Sequence, residues 1–454
     1  MSGSVGVLGL ARSGEAAARL ALRHEMRVYA SDAADTLAAR AAVERLRALG
    51  ADAEAGNHDV DRLAACDRIV LSPGIPPTAP VLTDPRLAAV TTIAELEFAW
   101  EHLDAPVVAV TGTNGKTTVT ALVSHLLGES GIDAPAGGNI GVALSDLALR
   151  EPPPQWAVVE VSSFQLAGTR RFAPAIGVLT NLAPDHLDRY GSVAAYYADK
   201  ARLFRNAGDG DRWILNADDP EVLALAAGAA GTRYLFSVER RLEPGEFGAW
   251  MEEDGRLVLR TERGEPRVLL HRDELRILGL HNVANALAAS LAAKLAGGDP
   301  AAIAHGLRSF APPAHRLQPV VEKGGVLWIN DSKATNLASA RVALRSVDRP
   351  VVLLLGGRHK GEPYSGLLPE LRSRARGVVA FGEAAERIER DLAAELIVER
   401  VNGDFAEAVR RAGELARPGD AVLLSPACSS YDMFADYEER GECFARLARG
   451  EAEG

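Results

Sequence analysis

Residues 111–118 read TGTNGKTT and stand between an apolar run at 107–110 and a helix-like segment at 119–127. Gly112 and Gly115 free backbone N–H groups to converge on an anion, Lys116 supplies a point charge, and Thr117 offers a hydroxyl to a nucleotide-bound magnesium ion. The order strand, turn, lysine, hydroxyl, helix suits nucleoside triphosphate chemistry. The general loop G-x-x-x-x-G-K-[ST] has its first glycine six positions before the lysine, where this chain has Val110, so the loop is a variant. A strand-to-helix turn carrying a solvated lysine is the plain alternative.

Oxygen and nitrogen ligands follow at two expected strand ends. Glu160 closes WAVVE, before Ser162, Ser163, Phe164 and Gln165, and His186 stands in DHLD after the apolar run 176–180. Residues just beyond the carboxyl ends of parallel strands line the ligand crevice, so Glu160 and His186 can approach one phosphate and one metal, and a carboxylate suits magnesium. A single histidine is more often a structural hydrogen-bonder. Lys200 lies in the helical segment 195–204, where a solvated lysine is the default reading.

Three nucleotide-fold-like units have to position these groups. The first opens with a buried-strand pattern at 5–8, a glycine turn through Gly9 and Gly14, an alanine-rich helix, and a strand at 27–30 ending near Asp32. Ala11 stands where G-x-G-x-x-G has its middle glycine, which argues against a redox dinucleotide but leaves room for a nucleotide diphosphate. Ser72, Pro73, Gly74 and Ile75 follow the strand 68–71 and form either a phosphate-facing turn or an ordinary proline turn. A helix-like stretch at 93–102 leads into the second unit, which runs as strands and helices to about residue 310, with an antiparallel hairpin over 247–270 turning at Asp254-Gly255. Ala311, Pro312 and Pro313 mark a hinge. Strands at 326–329, 351–355, 377–381 and 421–424, separated by helical segments, then read as another open parallel sheet.

Composition narrows the class. A chain of 454 residues, 47% hydrophobic, exceeds what one core organises, so two or three domains of a soluble globular protein are expected. A formal charge of -11 disfavours a broad nucleic-acid or anionic-membrane surface, so phosphate binding must be local. Cys66, Cys428 and Cys443 have neither C-x-x-C spacing nor even number, which fits a reducing cytoplasm. No basic leader is read at MSGSVGVLGL, and the longest uncharged apolar-leaning run, 277–293, holds His281, Asn282 and Asn285, so neither secretion signal nor membrane insertion is expected.

TGTNGKTT, GGNIG at 137–141, EVSSFQL, NLAPDHLDRY, the lysine of YYADKARLF, LGLHNVANALAA, HRLQ, NDSKATN, LLLGGRHKG and LSPACSSYDMF together resemble the muramyl ligases over nearly the whole chain. NDSKATN and SPACSSYDMFADYEERGECF resemble the members that add D-glutamate. The resemblance implies an α/β protein of three domains: a Rossmann-like amino-terminal domain at 1–92 for the UDP end of the substrate, a central P-loop ATPase-like domain at 93–311, and a Rossmann-like carboxyl-terminal domain at 312–454 for the amino acid. It implies ATP and Mg2+ as requirements, UDP-N-acetylmuramoyl-L-alanine and D-glutamate as substrates, an acyl-phosphate intermediate, and a cytoplasmic monomer in peptidoglycan precursor synthesis.

Site residues follow from the matched motifs. Gly112, Thr113, Asn114, Gly115, Lys116, Thr117 and Thr118 cradle the ATP phosphates, Asn282 and Asn285 sit on the adenine side, and His315, Arg316, Asp331 and Lys333 reach the nucleotide from the third domain. Thr117 and Glu160 hold one magnesium ion; His186 and Lys200 serve a second, with Lys200 carrying a carbamate, an oxygen donor suited to a hard metal. Lys116, Glu160, His186 and Lys200 are thereby the expected catalytic set. Arg12, Ser13, Asp32 and Ser72 map to the uridine diphosphate, and Asn139 faces the substrate nearer its reacting end. Thr335, Lys360, Ser430, Tyr431 and Tyr437 map to the D-glutamate pocket, where a lysine and hydroxyls suit a dicarboxylate. Tyr437 replaces an expected phenylalanine, His359 occupies a variable loop position, and Cys428 is read as a buried structural thiol. A folylpolyglutamate synthetase would share the ATP loop but lack the combined carboxyl-terminal motifs, and a binding-only sensor would not need Lys116, Glu160, His186 and Lys200 together.

Overall fold

The computed structural model describes residues 3–76, 78–186, 189–311 and 314–451. The expected proline hinge at Pro312 and Pro313 lies outside them, as do Leu187 and Asp188. The chain divides into two compact units, one formed by Met1–Arg272 with Ala284–Leu307 and the other by Asp273–Val283 with Arg308–Gly454.

The first unit carries two sheets among its described residues. One is five-stranded, ordered Asp52–Ala55, Arg27–Asp32, Ser4–Leu8, Arg68–Leu71, Thr91–Ala94, and parallel throughout. Ser4–Leu8 is buried along its whole length, as the middle strand of a sheet covered on both faces must be. The helix Arg12–Arg23 turns Gly14, Ala16, Ala17, Ala18, Leu20 and Ala21 inward, and these small side chains let it lie close to the sheet. A Cβ on Gly14 would fall 1.7 Å from the Gly9 carbonyl oxygen, so the glycine is required by helix-to-turn packing even though Ala11 breaks the fingerprint.

The stretch expected as helix at 93–102 divides differently. Thr91–Ala94 is a strand of the first sheet and runs past residue 92, and the helix is Glu95–Glu101. Its buried carboxylates act as ties: Glu95 accepts from the Ser145 amide at 2.8 Å and hydroxyl at 2.6 Å, and Glu97 accepts three backbone N–H groups from Arg170, Arg171 and Phe172.

The second sheet has nine strands in the order Arg267–His271, Arg256–Arg260, Gly248–Met251, Thr232–Ser237, Arg212–Asn216, Ile176–Leu179, Val107–Thr111, Ala157–Glu160, Ala136–Gly138. Only its first two pairings are antiparallel. The expected hairpin is therefore a three-stranded meander. Its turn does fall at Asp254-Gly255, with Gly255 at φ +86°, but the polar stretch TERGEP at 261–266 breaks what was read as one long second arm into two strands.

The second unit holds a six-stranded sheet ordered Gln318–Lys323, Val326–Asn330, Ala421–Leu424, Val351–Gly356, Ala375–Phe381, Val398–Arg400. Neighbouring residues of its central strands feed opposite cores: Val351, Leu353 and Leu355 face one, Val352 and Leu354 the other. The antiparallel edge strand Gln318–Lys323 was not anticipated, since QPVVEK lacks a continuous apolar run. Among the described residues no helix is long and apolar enough to cross a membrane. The run 277–293 falls mainly on the helix Leu280–Leu295, whose buried alanines and leucines belong to a protein core.

Candidate active site

The strand Val107–Thr111 delivers the cradle and the helix Lys116–Glu129 leaves it, starting three residues before the segment expected from sequence. Gly115 caps that helix at φ +82°, and a Cβ there would lie 2.4 Å from Asn285 Oδ1. Gly112 has φ +142°, with Thr180 Oγ1 only 2.0 Å from where a Cβ would be. Both positions exclude side chains, by backbone conformation and by space. The loop is tied to the segment after Ile176–Leu179: the Thr113 amide donates to Asn181 O at 2.9 Å, the Asn114 amide to Asn181 Oδ1 at 2.9 Å, and the Thr180 hydroxyl to Asn114 O at 2.6 Å. Lys116 Nζ folds over the turn, donating to Thr113 O at 2.7 Å and Gly112 O at 3.1 Å. A tied loop, a lysine and the positive end of a helix converge, an arrangement that favours a phosphate.

Thr117 Oγ1 donates to Glu160 Oε2 at 2.8 Å, and Asn139 Nδ2 donates to Glu160 Oε1 at 2.9 Å. Glu160 is buried at the end of its strand, and the Asn139 amide also donates to its carbonyl at 2.9 Å. A hydroxyl and a carboxylate in mutual contact beside a phosphate cradle are hard oxygen donors of the kind magnesium takes, usually one or two carboxylates completed by phosphate and water. Among the described residues no group of three His, Cys, Asp or Glu side chains is placed to hold a metal.

Lys200 overturns its default reading as a surface lysine. The helix Val193–Ala201 turns Tyr196 and Lys200, one turn apart, inward; Lys200 is 1% exposed, its Nζ donates to Gly112 O at 2.6 Å, and it lies 4.6 Å from the centre of the Tyr196 ring. Burial first, and then the charge of Lys116, lower its pKa to about 7, with Asp185 opposing. His186 adopts φ +54°, its ring centred 5.0 Å from Phe164 and 6.0 Å from Tyr196, with Nε2 3.6 Å from Asp185 Oδ2. Tyr196 thus neighbours both His186 and Lys200.

A cavity of about 710 Å³ opens at the carboxyl edge of the five-stranded sheet, and Arg12, Ser13, Asp32, Ser72 and Asn139 all line it. Ser72 does more than fill a proline turn: its hydroxyl donates to Gly9 O at 3.0 Å. Asp32 accepts from the Leu10 amide at 2.7 Å and the Ala34 amide at 2.8 Å, fixing the glycine turn to the end of its own strand. His58 lines the same cavity and was missed; the available signal was a histidine in GNHD, just past the strand Asp52–Ala55.

In the second unit Lys360 Nζ donates to Thr335 Oγ1 at 3.2 Å, and Ser430 is buried while Tyr431 is 64% exposed. Tyr437 is found with the groups expected to serve the nucleotide: Lys333 Nζ lies 5.2 Å from its ring centre and the His315 ring 6.2 Å away. Asp331 accepts from the Leu317 amide at 3.1 Å and the Ser425 hydroxyl at 2.8 Å; burial pushes its pKa up to about 7, against those hydrogen bonds and the charge of Arg316. Cys428 is a buried thiol 2.9 Å from the Tyr364 hydroxyl, and burial raises its pKa to about 11, as a structural role requires. Asn282 belongs to this unit and donates to Leu278 O at 2.8 Å, whereas Asn285 belongs to the first unit beside Gly115.

Family models match in sequence order. The MurD-like N-terminal domain of Mur ligases covers residues 3–94, the Mur ligase middle domain 110–293, and the Mur ligase glutamate ligase domain 315–428. Two curated relatives bear the name UDP-N-acetylmuramoylalanine--D-glutamate ligase. That of Salinibacter ruber is 41% identical, covering 97% of this chain and 96% of the relative, and that of Anaeromyxobacter dehalogenans is 43% identical, covering 99% and 98%. The solved UDP-N-acetylmuramate-alanine ligase MurC of Thermotoga maritima shares the fold, with a TM-score of 0.59 at 20% identity over 99% of each chain. A pseudomurein peptide ligase of Methanothermus fervidus does likewise, at 0.57 and 21% over 93% of this chain and 96% of the other. The chain therefore belongs to the Mur ligase family, in the branch of the UDP-N-acetylmuramoylalanine--D-glutamate ligases.

Proposed function

We propose that the protein joins D-glutamate to UDP-N-acetylmuramoyl-L-alanine with hydrolysis of ATP to ADP and phosphate, an amide-forming step of peptidoglycan precursor synthesis in the cytoplasm, and that it acts as a monomer. The observation that carries this reading is the Thr117–Glu160–Asn139 chain of hydrogen bonds, which joins the phosphate cradle directly to a residue lining the 710 Å³ cavity. A donor phosphate in the cradle and an acceptor carboxylate at Asn139 would be held on the two sides of one buried carboxylate.

A carboxylate is a poor acyl donor. In the reaction its oxygen attacks the ATP γ-phosphorus and ADP leaves, giving an acyl phosphate. The D-glutamate amine then attacks the carbonyl carbon, the tetrahedral adduct loses a proton, and inorganic phosphate departs as the amide forms. The first step brings anions together, so its barrier is lowered by positive charge and N–H dipoles placed in advance: Lys116, the loop from Gly112 to Thr118 through Thr113 and Asn114, and the helix start at Gly115. Magnesium, when bound at Thr117 and Glu160 and at a second position served by His186 and Lys200, supplies further charge neutralisation. Lys200 is our assigned carbamate carrier, formed from its neutral amine and carbon dioxide with release of a proton. The support is its burial and a pKa near 7, which leave an uncharged amine available at neutral pH.

The remaining roles are assigned on the same footing. Arg12, Ser13, Asp32 and Ser72 hold the UDP end, supported by their shared cavity; Asn282, Asn285, Arg316, Asp331 and Lys333 keep their expected roles toward the nucleotide; Thr335, Lys360, Ser430 and Tyr431 receive D-glutamate, supported by the Thr335–Lys360 contact. We move Tyr437 toward the nucleotide-side group because of Lys333 and His315. The segments 1–92, 93–311 and 312–454 are kept as proposed functional divisions. An ADP-release assay with folate and UDP-muramoyl acceptors side by side tests the reading; ADP release that depends on folate alone would overturn it.

A further inference from the structure

The parallel sheet of the first unit lays its loops along one edge in the order of its strands, Asp52–Ala55, Arg27–Asp32, Ser4–Leu8, Arg68–Leu71. His58 follows the first of these strands, Asp32 ends the second, Arg12 and Ser13 follow the third, and Ser72 follows the fourth; all line the one cavity, with Asn139 on its wall. The chemistry is graded along that edge. Asn139 reaches Glu160, so the reacting carboxylate belongs at that end. Arg12 and Ser13 begin a 12-residue helix whose unpaired N–H groups suit a diphosphate. A substrate whose acyl end is at Asn139 and whose diphosphate is at this helix must extend its nucleoside past Asp32 to His58.

His58 is built in place for contact there. Its Nδ1 is 2.8 Å from the hydroxyl of Ser31, which is fully buried at the end of the neighbouring strand. The loop carrying it is anchored on its far side, where the Asp59 amide donates to the Tyr29 hydroxyl at 2.8 Å and to Glu54 Oε1 at 3.2 Å, and Tyr29 is itself hydrogen-bonded to Glu54. Asp59 in turn caps the next helix by accepting from the amides of Asp61 and Arg62. With Nδ1 engaged, Nε2 is the remaining polar atom of a ring that lines the cavity. Burial lowers the His58 pKa, against the opposing charges of Asp32 and Glu54, so the ring is held toward its neutral form, which offers a single hydrogen bond and a flat face.

We infer that His58 reads the nucleobase of the substrate, hydrogen-bonding the edge of the pyrimidine through Nε2 while Ser31 sets the ring's tautomer and orientation. The inference rests on the proposed UDP-linked substrate. It assigns base recognition to a residue distinct from Arg12 and Ser13, which would meet the phosphates.

The test uses the full chain and competitive inhibition by UDP, CDP and inorganic pyrophosphate, with His58→Ala, His58→Gln and Ser31→Ala. For His58→Ala the KM for the UDP-linked substrate and the Ki of UDP should rise about tenfold, the size of one lost hydrogen bond. KM for ATP and for D-glutamate, kcat at saturation and Ki of pyrophosphate should hold, while the preference for UDP over CDP shrinks. His58→Gln, which keeps a polar group, should recover part of the loss, and Ser31→Ala should lose less than His58→Ala. Unchanged UDP affinity and UDP/CDP preference in a folded His58→Ala variant would overturn the inference, as would an equal loss for pyrophosphate. An unmodified protein that UDP does not inhibit would overturn the inference together with the reading beneath it.

Discussion

Asn139 and Thr117 grip the two oxygens of one carboxylate, Nδ2 to Glu160 Oε1 at 2.9 Å and Oγ1 to Glu160 Oε2 at 2.8 Å. Glu160 is thereby satisfied at both oxygens while buried, and a residue that lines the 710 Å³ cavity and the residue that follows Lys116 report to the same anion. Glu160→Gln keeps the shape and removes the charge. Turnover should fall by roughly 10²–10³ and the magnesium concentration for half-maximal rate should rise; steady-state kinetics across a magnesium titration checks this, and an unchanged magnesium requirement would remove Glu160 from the metal site.

Lys200→Ala removes the buried amine that donates to Gly112 O. Turnover should drop at least about 100-fold while ATP-analogue affinity stays within about threefold, because the cradle keeps Lys116 and its N–H groups. Equilibrium binding beside single-turnover kinetics separates the two; full turnover in the variant refutes the assigned role. Carbon-13 NMR of the unmodified protein in labelled bicarbonate should show a carbamate resonance that this variant lacks.

Gly115→Ala places a Cβ at φ +82°, where Asn285 Oδ1 would be 2.4 Å away. The left-handed backbone alone costs about 1–2 kcal/mol for a side-chain-bearing residue, and the displaced asparagine disturbs the loop beneath the phosphates. KM for ATP should rise about tenfold with a lowered melting temperature, on the order of 2–4 °C per kcal/mol lost. An alanine variant with unaltered KM for ATP would show that the loop has room to spare.

Asp331 gives a pH test. Its folded pKa is raised to about 7 by burial, above the usual carboxylate value of about 3.9 in an unfolded chain. Between those values the folded state binds more protons, so this residue lowers stability as pH rises from about 4 to about 7. Asp331→Asn removes that slope while its amide can still accept from the Leu317 amide and donate to Ser425. The difference in melting temperature, variant minus unmodified, should therefore grow by a few degrees from pH 5 to pH 7.5; a difference independent of pH contradicts the buried, uncharged carboxyl.

The parts legible in the sequence were those with local causes. The loop combines a strand, two glycines, a lysine and a helix within a few residues, so its local shape follows from adjacent sequence. The five residues that share the cavity were singled out because each ends a strand, stands just beyond one or opens a helix. The burial of Lys200, which the motif resemblance singled out, was hidden from the residue pattern because helix periodicity says which residues share a face but not which face is covered; only packing shows Tyr196 and Lys200 turned inward. The meander was read as one hairpin since its apolar stretches outweighed the short polar break, and Ile93 and Ala94 merged with the following helix because Ile93, Leu96 and Trp100 continue a helical spacing. His58 escaped because its role depends on Ser31, which is distant in sequence and adjacent only once the two strands pair.

The central claim is that ATP makes an inert carboxylate acylating so that D-glutamate can be joined to it. The most direct measurement follows ADP release and amide product by mass spectrometry, with UDP-N-acetylmuramoyl-L-alanine offered D-glutamate, L-glutamate or a diamino acid in magnesium. The expected result is one ADP per amide with D-glutamate and negligible product with the other two; no amide product with D-glutamate under metal-replete conditions would contradict it.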